Sequence, residues 1–282
     1  MSDYSGPNPG NKNNQMSFLE HLEVLRWVLM RIVIVLFILA CVVYIYRDFV
    51  FEHIVMSSKE MDFWTYVKFC ETSQYLNSIW PNFIDSDVMC FDPIDPKFLP
   101  GKVTGKFMTA MLVALIGALI IGFPYILWEF WRFLKPALYP KEKKSAKGLV
   151  FFSSLLFACG ILFGYFIINP LSVHFLIGFE LGTDTLDYFP MNSFMGIVAS
   201  TTLAAGVMFE LPVLVYFLSK AGIVSPDGMK KYRKHSFVAT LVIAAIITPP
   251  DVVSQIIVAI PIVILYELSI FISKSVNKRR EI

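Results

Sequence analysis

Six stretches of the chain are long and apolar enough to form membrane-spanning helices. A helix rises about 1.5 Å per residue, so it crosses a hydrocarbon core of about 30 Å in around 20 mostly apolar residues. The fifth stretch reaches only about 21 Å, so we expect it to thin the bilayer locally or to lean on its neighbours. The pattern predicts an all-α integral membrane protein with six unequal transmembrane helices and a short fifth helix, at approximately residues 28–46, 107–131, 148–168, 193–219, 235–248 and 252–273.

The segments around these stretches are polar. Residues 1–16 are rich in Gly, Pro, Asn and Ser and lack the apolar core of a cleavable signal, so they are predicted to be a disordered tail. Ser17 and Glu20 fit a capping box, which predicts that the first helix begins there. The predicted division is a transmembrane domain over 17–273, which includes a long external loop over 47–106, and a basic cytoplasmic tail over 274–282.

Composition and charge distribution predict the class of protein and its orientation. Hydrophobic residues make up 56% of the chain, a share that nearly excludes a water-soluble domain, and 24 Lys and Arg against 22 Asp and Glu give no global attraction for nucleic acid. Of the Lys and Arg residues, 18 lie in the N-terminal segment, the loops after the second and fourth stretches, and the C-terminal tail. Because cytoplasmic segments carry the excess of Lys and Arg, both termini are predicted to be cytoplasmic.

Two of the four cysteines lie in the external loop. Cys41 and Cys159 fall within predicted spans, which leaves Cys70 and Cys90 together on the oxidising side. A disulfide between them would stabilise the loop by about 3 kcal/mol in the chain-entropy model. Two free thiols in a mobile loop are the alternative.

The sequence lacks the motifs of catalysis and nucleotide use. It has four histidines, none in a His-Glu-x-x-His pattern, no Gly-x-Ser-x-Gly and no Gly-rich phosphate loop. We therefore expect neither an enzyme nor an ATP-driven pump, and no metal or cofactor.

Glu210 is the ionisable residue placed deepest in a predicted span. It precedes Lys220 by ten residues, roughly 15 Å along a helix, and an ionisable group at that depth is a functional candidate. Pro212 cannot donate to the carbonyl of Met208, which leaves a backbone acceptor nearby. Glu210 either bonds within its own bundle or receives a polar residue of another membrane helix, a contact worth roughly 0.6 to 2 kcal/mol.

Further prolines shape the predicted helices. Pro124 and Pro261 each free a carbonyl in the second and sixth spans, so these helices should bend, as should the fourth. Asp251, which follows Pro249 and Pro250, is predicted to cap the sixth helix by accepting an amide.

Several motifs together resemble the TatC subunit of the twin-arginine protein translocase, from about residue 21 to residue 271. They are His21-Leu-x-x-Leu25-Arg26; Pro124 with Trp131-x-Phe133-x-x-Pro136-Ala-Leu-Tyr139-x-x-Glu142; Gly160-x-x-Phe163-x-Tyr165 with Pro170; Phe209-Glu210-x-Pro212; and Thr248-Pro-Pro-Asp251-x-x-Ser254-Gln255 with Ala259-Ile-Pro261. Their order and spacing are those of the family.

The resemblance implies a fold, a function and partners. It implies a curved, cup-like bundle in a bacterial-type cytoplasmic (inner) membrane, acting as a receptor for signal peptides with paired arginines. Single-span TatA- or TatB-like subunits would dock on it, and folded proteins would cross using the proton-motive force. The resemblance also implies that the protein forms homo- and hetero-oligomers.

The resemblance also implies roles for individual residues. Glu142 and Phe133 would belong to the signal-peptide site, and Glu210, Gln255 and Thr248 to the surface that receives partner helices. An arginine fork on Glu142 would make charge-assisted bonds worth roughly 1.5 to 3 kcal/mol. The alternative for Glu142 is an ordinary surface carboxylate paired with a neighbouring lysine. The residues expected to be structural are Pro124, Pro136, Pro212, Pro249, Pro250, Asp251 and Pro261.

The chain departs from the family pattern in two places. Val24 stands where family members often carry a Glu that helps receive the arginines, and Glu23, displaced by about 100° around a helix, is a candidate replacement. The loop over 47–106 is longer than the family's usual loop.

Two other functions fit part of the pattern. Glu210, Gln255 and the bent helices are compatible with a proton-coupled small-molecule transporter, although no inverted repeat is visible. A passive scaffold for single-span proteins would share the docking residues but would need no arginine site.

Overall fold

The computed structural model describes residues 18–60, 63–79, 90, 97–99, 103–134, 146–178, 188–248 and 252–278. Its α-helices are α1 (Phe18–Ile45), α2 (Arg47–Phe49), α3 (Trp64–Ile79), α4 (Val103–Leu134), α5 (Ala146–Phe163), α6 (Asn169–Gly178), α7 (Met191–Phe209), α8 (Leu211–Lys220), α9 (Pro226–Lys231), α10 (Arg233–Ile247) and α11 (Val252–Lys278). Two π-helical turns, Val50–Val55 and Gly164–Ile168, and a 3-10 turn, Met56–Lys59, connect some of them. Two three-residue strands, β1 (Lys97–Leu99) and β2 (Tyr188–Pro190), complete the described elements.

The long helices match the predicted membrane spans. Within the described residues, five helical stretches are long and apolar enough to cross a bilayer, namely 22–45, 104–133, 148–176, 191–220 and 254–278. The predicted fifth span corresponds to α10, which has 15 residues and so rises only about 22 Å. The all-helical fold class and the short fifth helix are therefore confirmed, with β1 and β2 as a small addition.

The third span continues past residue 168, where the sequence pattern predicts its end. The chain passes from α5 through the π-helical turn Gly164–Ile168 into α6 without leaving helical geometry. Pro170 cannot donate to the carbonyl of Phe166, and the hydroxyl of Thr65 on α3 donates to that carbonyl instead. A hydrogen bond from outside the span therefore replaces the missing helical one, so the third span extends further than residue 168.

The prolines act differently on their helices. Pro124 and Pro261 lie inside the continuous helices α4 and α11. Pro212 instead follows a full interruption, because α7 ends at Phe209 and α8 begins at Leu211 with Pro212 in its first turn. The fourth span is thus two helices with Glu210 at their junction.

The helices pack side by side as a row. α1 packs on α4 at one end, α4 contacts α5 and α7, α5 contacts α7, and α8 and α10 pack on α11 at the other end. An apolar cluster formed by Ile168, Ala205, Ala244, Val258, Ala259 and Ile262 joins the third span, α7, α10 and α11. Outward faces carry exposed large apolar side chains such as Phe37 and Phe271, each 70% exposed, as expected for surfaces in contact with lipid.

A disulfide and a short parallel sheet link segments that lie outside the long helices. Cys70 on α3 and Cys90 form a disulfide, with their Cα atoms 4.3 Å apart. β1 and β2 pair in parallel, with Phe98 opposite Phe189. The predicted pairing of these cysteines is the one found in the structure, while Cys41 and Cys159 are free.

The hydroxyl of Tyr66 ties α3 to the bundle. It donates to the carbonyls of Ser58 and Pro170, at 3.3 and 3.1 Å. Burial raises the pKa of this hydroxyl well above its usual value. Tyr66 therefore remains a neutral donor at physiological pH and links α3 to the start of α6.

Candidate functional site

Glu210 lies at the α7–α8 junction and faces α5. The hydroxyl of Ser153 donates to its Oε2 at 2.5 Å, whereas its Oε1 is buried without a hydrogen-bond partner among the residues that the structure describes. The interruption places Glu210 there, because its carbonyl accepts the amides of Val213 and Leu214 and so begins α8. The carboxyl group therefore keeps one oxygen available inside the bundle.

Glycines bring Ser153 and Glu210 together. A Cβ on Gly160 would lie 2.7 Å from the carbonyl oxygen of Ala205 and 2.8 Å from the Cα of Gly206. A Cβ on Gly206 would lie 2.7 Å from the side chain of Ile161. Only helices without side chains at these positions can approach so closely, so α5 and α7 cross in near backbone contact.

An apolar groove borders the Glu210 junction. Its volume is about 650 Å³, and its lining includes Phe209, the residue before Glu210, together with Phe163, Leu162 and Trp64. Phe163 and Phe209 contact each other at 5.5 Å between ring centroids. Glu210 itself does not line the groove, but its neighbour Phe209 does, so the carboxyl group lies one residue from an apolar surface of the kind that packs against another membrane helix.

Gln255 and Thr248 lie between α10 and α11. Gln255 donates through Nε2 to the carbonyl of Leu241 at 3.0 Å, and Thr248, 4% exposed, donates to the carbonyl of Ala244 in its own helix. Leu241 packs on the same apolar cluster as Leu211, the residue after Glu210. Glu210 and Gln255 therefore border one cluster without a hydrogen bond between them.

The predicted arginine site is described only in part. Phe133 lies in the last turn of α4 and is half-buried, and Glu23 is exposed near the start of α1. Glu142 lies outside the described residues, as do Pro136, Pro249, Pro250 and Asp251. Their predicted roles stay predictions.

A buried ion pair was missed by sequence reasoning. Glu129 on α4 is 1% exposed, and its Oε1 lies 3.2 Å from Nη1 of Arg31 on α1 and 3.9 Å from Nη1 of Arg132. The hydroxyl of Tyr125, one turn earlier, donates to the same oxygen at 3.2 Å. Arg31 could have predicted this pair, because a lone cation near the start of the first span is expected to have an anion on a neighbouring helix.

A second ion pair links the short helix to the last one. Nη2 of Arg233, at the start of α10, lies 2.7 Å from Oε2 of Glu267 on α11, and both side chains are about half exposed. Exposed pairs of this kind contribute little to stability, about 0 to 1 kcal/mol. Within the described part of the chain, no group of three or more His, Cys, Asp or Glu is arranged to hold a metal ion.

The chain is similar in sequence to proteins of one family. The model of the family "Sec-independent protein translocase protein (TatC)" matches residues 20–261. The proteins of the same name from Blattabacterium sp. subsp. Periplaneta americana and from Aquifex aeolicus are each 34% identical, over 270 and 271 residues. These alignments cover 96% and 95% of this chain and 99% of each relative.

A solved structure has the same fold. The structure described as "Crystal Structure of Twin Arginine Translocase Receptor- TatC" superposes with a TM-score of 0.66 at 30% identity, covering 91% of this chain and 99% of that one. Both the sequence and the arrangement of helices match over most of the chain. The chain is therefore a multi-pass membrane protein that belongs to the TatC family of Sec-independent protein translocases, and it is not an enzyme.

Proposed function

We propose that this protein is a receptor for twin-arginine signal peptides at the cytoplasmic face of a bacterial-type inner membrane, with both termini in the cytoplasm. Glu142 and Phe133 form the peptide site, with Glu23 taking the role that a Glu at position 24 has in relatives. The name of the matched crystal structure and the excess of Lys and Arg on the proposed cytoplasmic side support this proposal.

The observation that carries the proposal is the Arg31–Glu129 pair between α1 and α4. Glu23 precedes Arg31 by eight residues, about 12 Å, and Phe133 follows Glu129 by four residues, about 6 Å. In the proposed orientation α1 leaves the cytoplasm and α4 returns to it. Glu23 and Phe133 therefore both lie on the cytoplasmic side of the Arg31–Glu129 pair. Their axial offset of about 6 Å lets one extended peptide contact both helices.

Binding of a synthetic signal peptide to the detergent-purified protein tests the receptor site. We expect the peptide with paired arginines to bind more tightly than its twin-lysine version, because a guanidinium bonds a carboxylate through two parallel contacts. Glu142→Ala should weaken binding about 10- to 100-fold, and Glu23→Gln should weaken it less. Glu71→Ala, an exposed change on the external helix α3, is the matched control.

Equal affinity of the arginine and lysine peptides would contradict the proposal and favour the passive scaffold. Equal affinity of wild type and Glu23→Gln would remove only Glu23 from the site. Labelling of Lys278→Cys by an impermeant thiol reagent tests the orientation, since the residue should react only from the cytoplasmic side. Reaction from the outside would reverse the orientation.

We also propose that Glu210, Gln255 and Thr248 form the docking surface for TatA- or TatB-like single-span subunits of a homo- or hetero-oligomeric translocase driven by the proton-motive force. The buried Oε1 of Glu210 has no partner in the described part of the bundle and lies beside an apolar groove, so a polar side chain of an incoming helix can bond to it. Glu210→Ala should weaken co-purification of such a subunit about 3- to 30-fold.

Two controls separate docking from folding. Glu267→Ala removes a carboxylate that already pairs with Arg233, and it should leave co-purification unchanged. The signal-peptide affinity of Glu210→Ala should equal that of wild type. A Glu210→Ala protein that binds the peptide and retains the subunit fully would contradict the docking role.

A further inference from the structure

A cavity lies at the ends of three spans that face outward in the proposed orientation. Its volume is about 350 Å³, and it lies among the end of α1 with α2, the first turns of α4 and the first turn of α7. The corresponding apolar stretches end at Ile45 and begin at Thr104 and Met191. The cavity is therefore located where hydrocarbon meets the polar headgroups of the external leaflet.

The mouth of the cavity carries more positive than negative charge. Arg47 and Lys106 line it, with Asp48 as the acidic lining residue. Asp48 lies 3.5 Å from Nε of Arg47, but its side chain is 84% exposed and this contact is weak. Lys106 forms no ion pair with any residue that the structure describes.

Backbone dipoles add to this positive field. Gly105 and Lys106 lie in the first turn of α4, and Met191 and Asn192 begin α7. The N-cap residue of α7, Pro190, supplies no side-chain hydrogen bond to the first amides. Two helix N-termini and two cationic side chains thus converge on one cavity, and both features favour an anion.

The inner wall of the cavity is apolar. Phe51, Phe107, Ala110 and Met195 line it. Phe107 is 52% exposed, and Leu115, two turns further along α4, is 51% exposed, so an apolar lane continues from the cavity down the membrane face of the helix. A soluble anion would gain nothing from this lane, whereas an acyl chain would bury against it.

We propose that this cavity binds the phosphate headgroup of an anionic phospholipid from the external leaflet. Arg47 and Lys106 contact the phosphate, the first amides of α7 face it, and the acyl chains run along α4 beside Phe107. The lipid connects α1, α4 and α7 at their external ends. The site is separate from the proposed peptide and docking sites, which lie at the cytoplasmic end and at the Glu210 junction.

Lipid retention by the purified full-length chain tests the proposal. Native mass spectrometry of the protein titrated with phosphatidylglycerol, or with phosphatidylcholine of the same chain length, counts the lipids that stay bound. We expect tighter retention of phosphatidylglycerol by wild type. The double variant Arg47→Gln with Lys106→Gln should lose about 30-fold in apparent affinity. Lys68→Gln, which removes an exposed cation from external α3, is the control and should retain wild-type affinity.

A second variant tests the cavity without changing charge. Gly105 lines the cavity, and a Cβ there would meet no described atom within 4 Å, so Gly105→Phe can fill the space without a backbone clash. It should weaken phosphatidylglycerol retention while both cations remain. An unchanged unfolding midpoint of each variant in mixed detergent micelles shows that the bundle is intact, and it keeps this test independent of the proposed receptor function.

Three results would overturn the proposal. The first is equal retention of the two lipids by wild type. The second is a double variant that binds phosphatidylglycerol as tightly as Lys68→Gln does. The third is displacement of the lipid by millimolar inorganic phosphate, which would assign the cavity to a soluble anion.

Discussion

Gly160→Ala should loosen the crossing of α5 and α7. The added Cβ would lie 2.7 Å from the carbonyl oxygen of Ala205 and 2.8 Å from the Cα of Gly206. Carbon atoms in contact prefer about 3.5 to 4.0 Å, so the two backbones must separate by about 0.7 Å. Backbone atoms cannot rotate away as a side chain can. The added methyl group must therefore move α5 and α7 apart along their whole contact.

The expected cost follows from the overpacking range. Inserting a methyl group into a well-packed interface costs about 1 to 3 kcal/mol, and replacing a mid-helix Gly by Ala returns up to about 1 kcal/mol of helix propensity. Gly196→Ala, inside α7, is the matched control, because its Cβ would lie 3.9 Å from Leu112 in ordinary contact. The propensity gain is common to both variants, so their difference isolates the overpacking cost of about 1 to 3 kcal/mol.

Unfolding in mixed detergent micelles, followed by tryptophan fluorescence, measures this difference. Gly160→Ala should unfold at a lower denaturing-detergent fraction than wild type, and Gly196→Ala at an equal or higher one. Because the same crossing aligns Ser153 with Glu210, Gly160→Ala should also weaken subunit co-purification. Equal stability of the two variants would refute the argument that backbone contact at Gly160 fixes the crossing.

Three further predictions concern the polar links between elements. Glu129→Ala should lower the free energy of unfolding by about 1 to 2 kcal/mol, because the arginines that pair with Glu129 are half exposed. Glu129→Gln should lower it by less, because the amide keeps a hydrogen bond. Thermal unfolding compares the two variants, and equal losses would contradict a role for the hydrogen bond. Reducing the Cys70–Cys90 disulfide should destabilise the segment between α2 and α4 by about 3 kcal/mol and leave signal-peptide affinity unchanged. Limited proteolysis with and without reductant measures the loss of stability, and equal cleavage under the two conditions would contradict the prediction. Thr65→Val should cost about 1 kcal/mol because the carbonyl of Phe166 loses its donor, whereas Thr72→Val, on the exposed face of α3, should cost less in the same unfolding assay.

The membrane spans could be predicted from the sequence because apolar length alone decides them. α10 illustrates this: its 15 residues were recognisable as a short helix from the run of apolar residues before Pro249. A similar elimination left Cys70 and Cys90 together in one polar loop, and the structure decides between a disulfide and two free thiols in favour of the disulfide. None of these inferences needed knowledge of how the helices face one another.

Features that depend on the register between helices could not be predicted. Where the third span continues past Asn169, the carbonyl that Pro170 leaves free accepts from Thr65, about 100 residues away in sequence. The Glu129 ion pair likewise needs α1 and α4 to align within a few ångströms. The sequence contains the partners in both cases, but only the packed structure determines which of them meet.

The two buried carboxyl groups differ in ways that explain their separate roles. In the proposed orientation Glu129 lies near the cytoplasmic end, where Arg31 and Arg132 pair with it while their own side chains stay 39% and 57% exposed, so the charge is neutralised without isolating the cations from water. Glu210 lies far from such an end, and among the described residues its hydrogen-bond partner is the hydroxyl of Ser153. Each carboxyl group keeps one buried oxygen without a hydrogen-bond partner among the described residues, so the difference between them lies in their charged neighbours. Glu129 is paired with two arginines and joins α1 to α4, whereas Glu210 forms no ion pair with any described residue, so a polar residue of another membrane helix has no cation to displace there. This difference is why we assign fixation of α1 on α4 to Glu129 and recognition of a partner to Glu210.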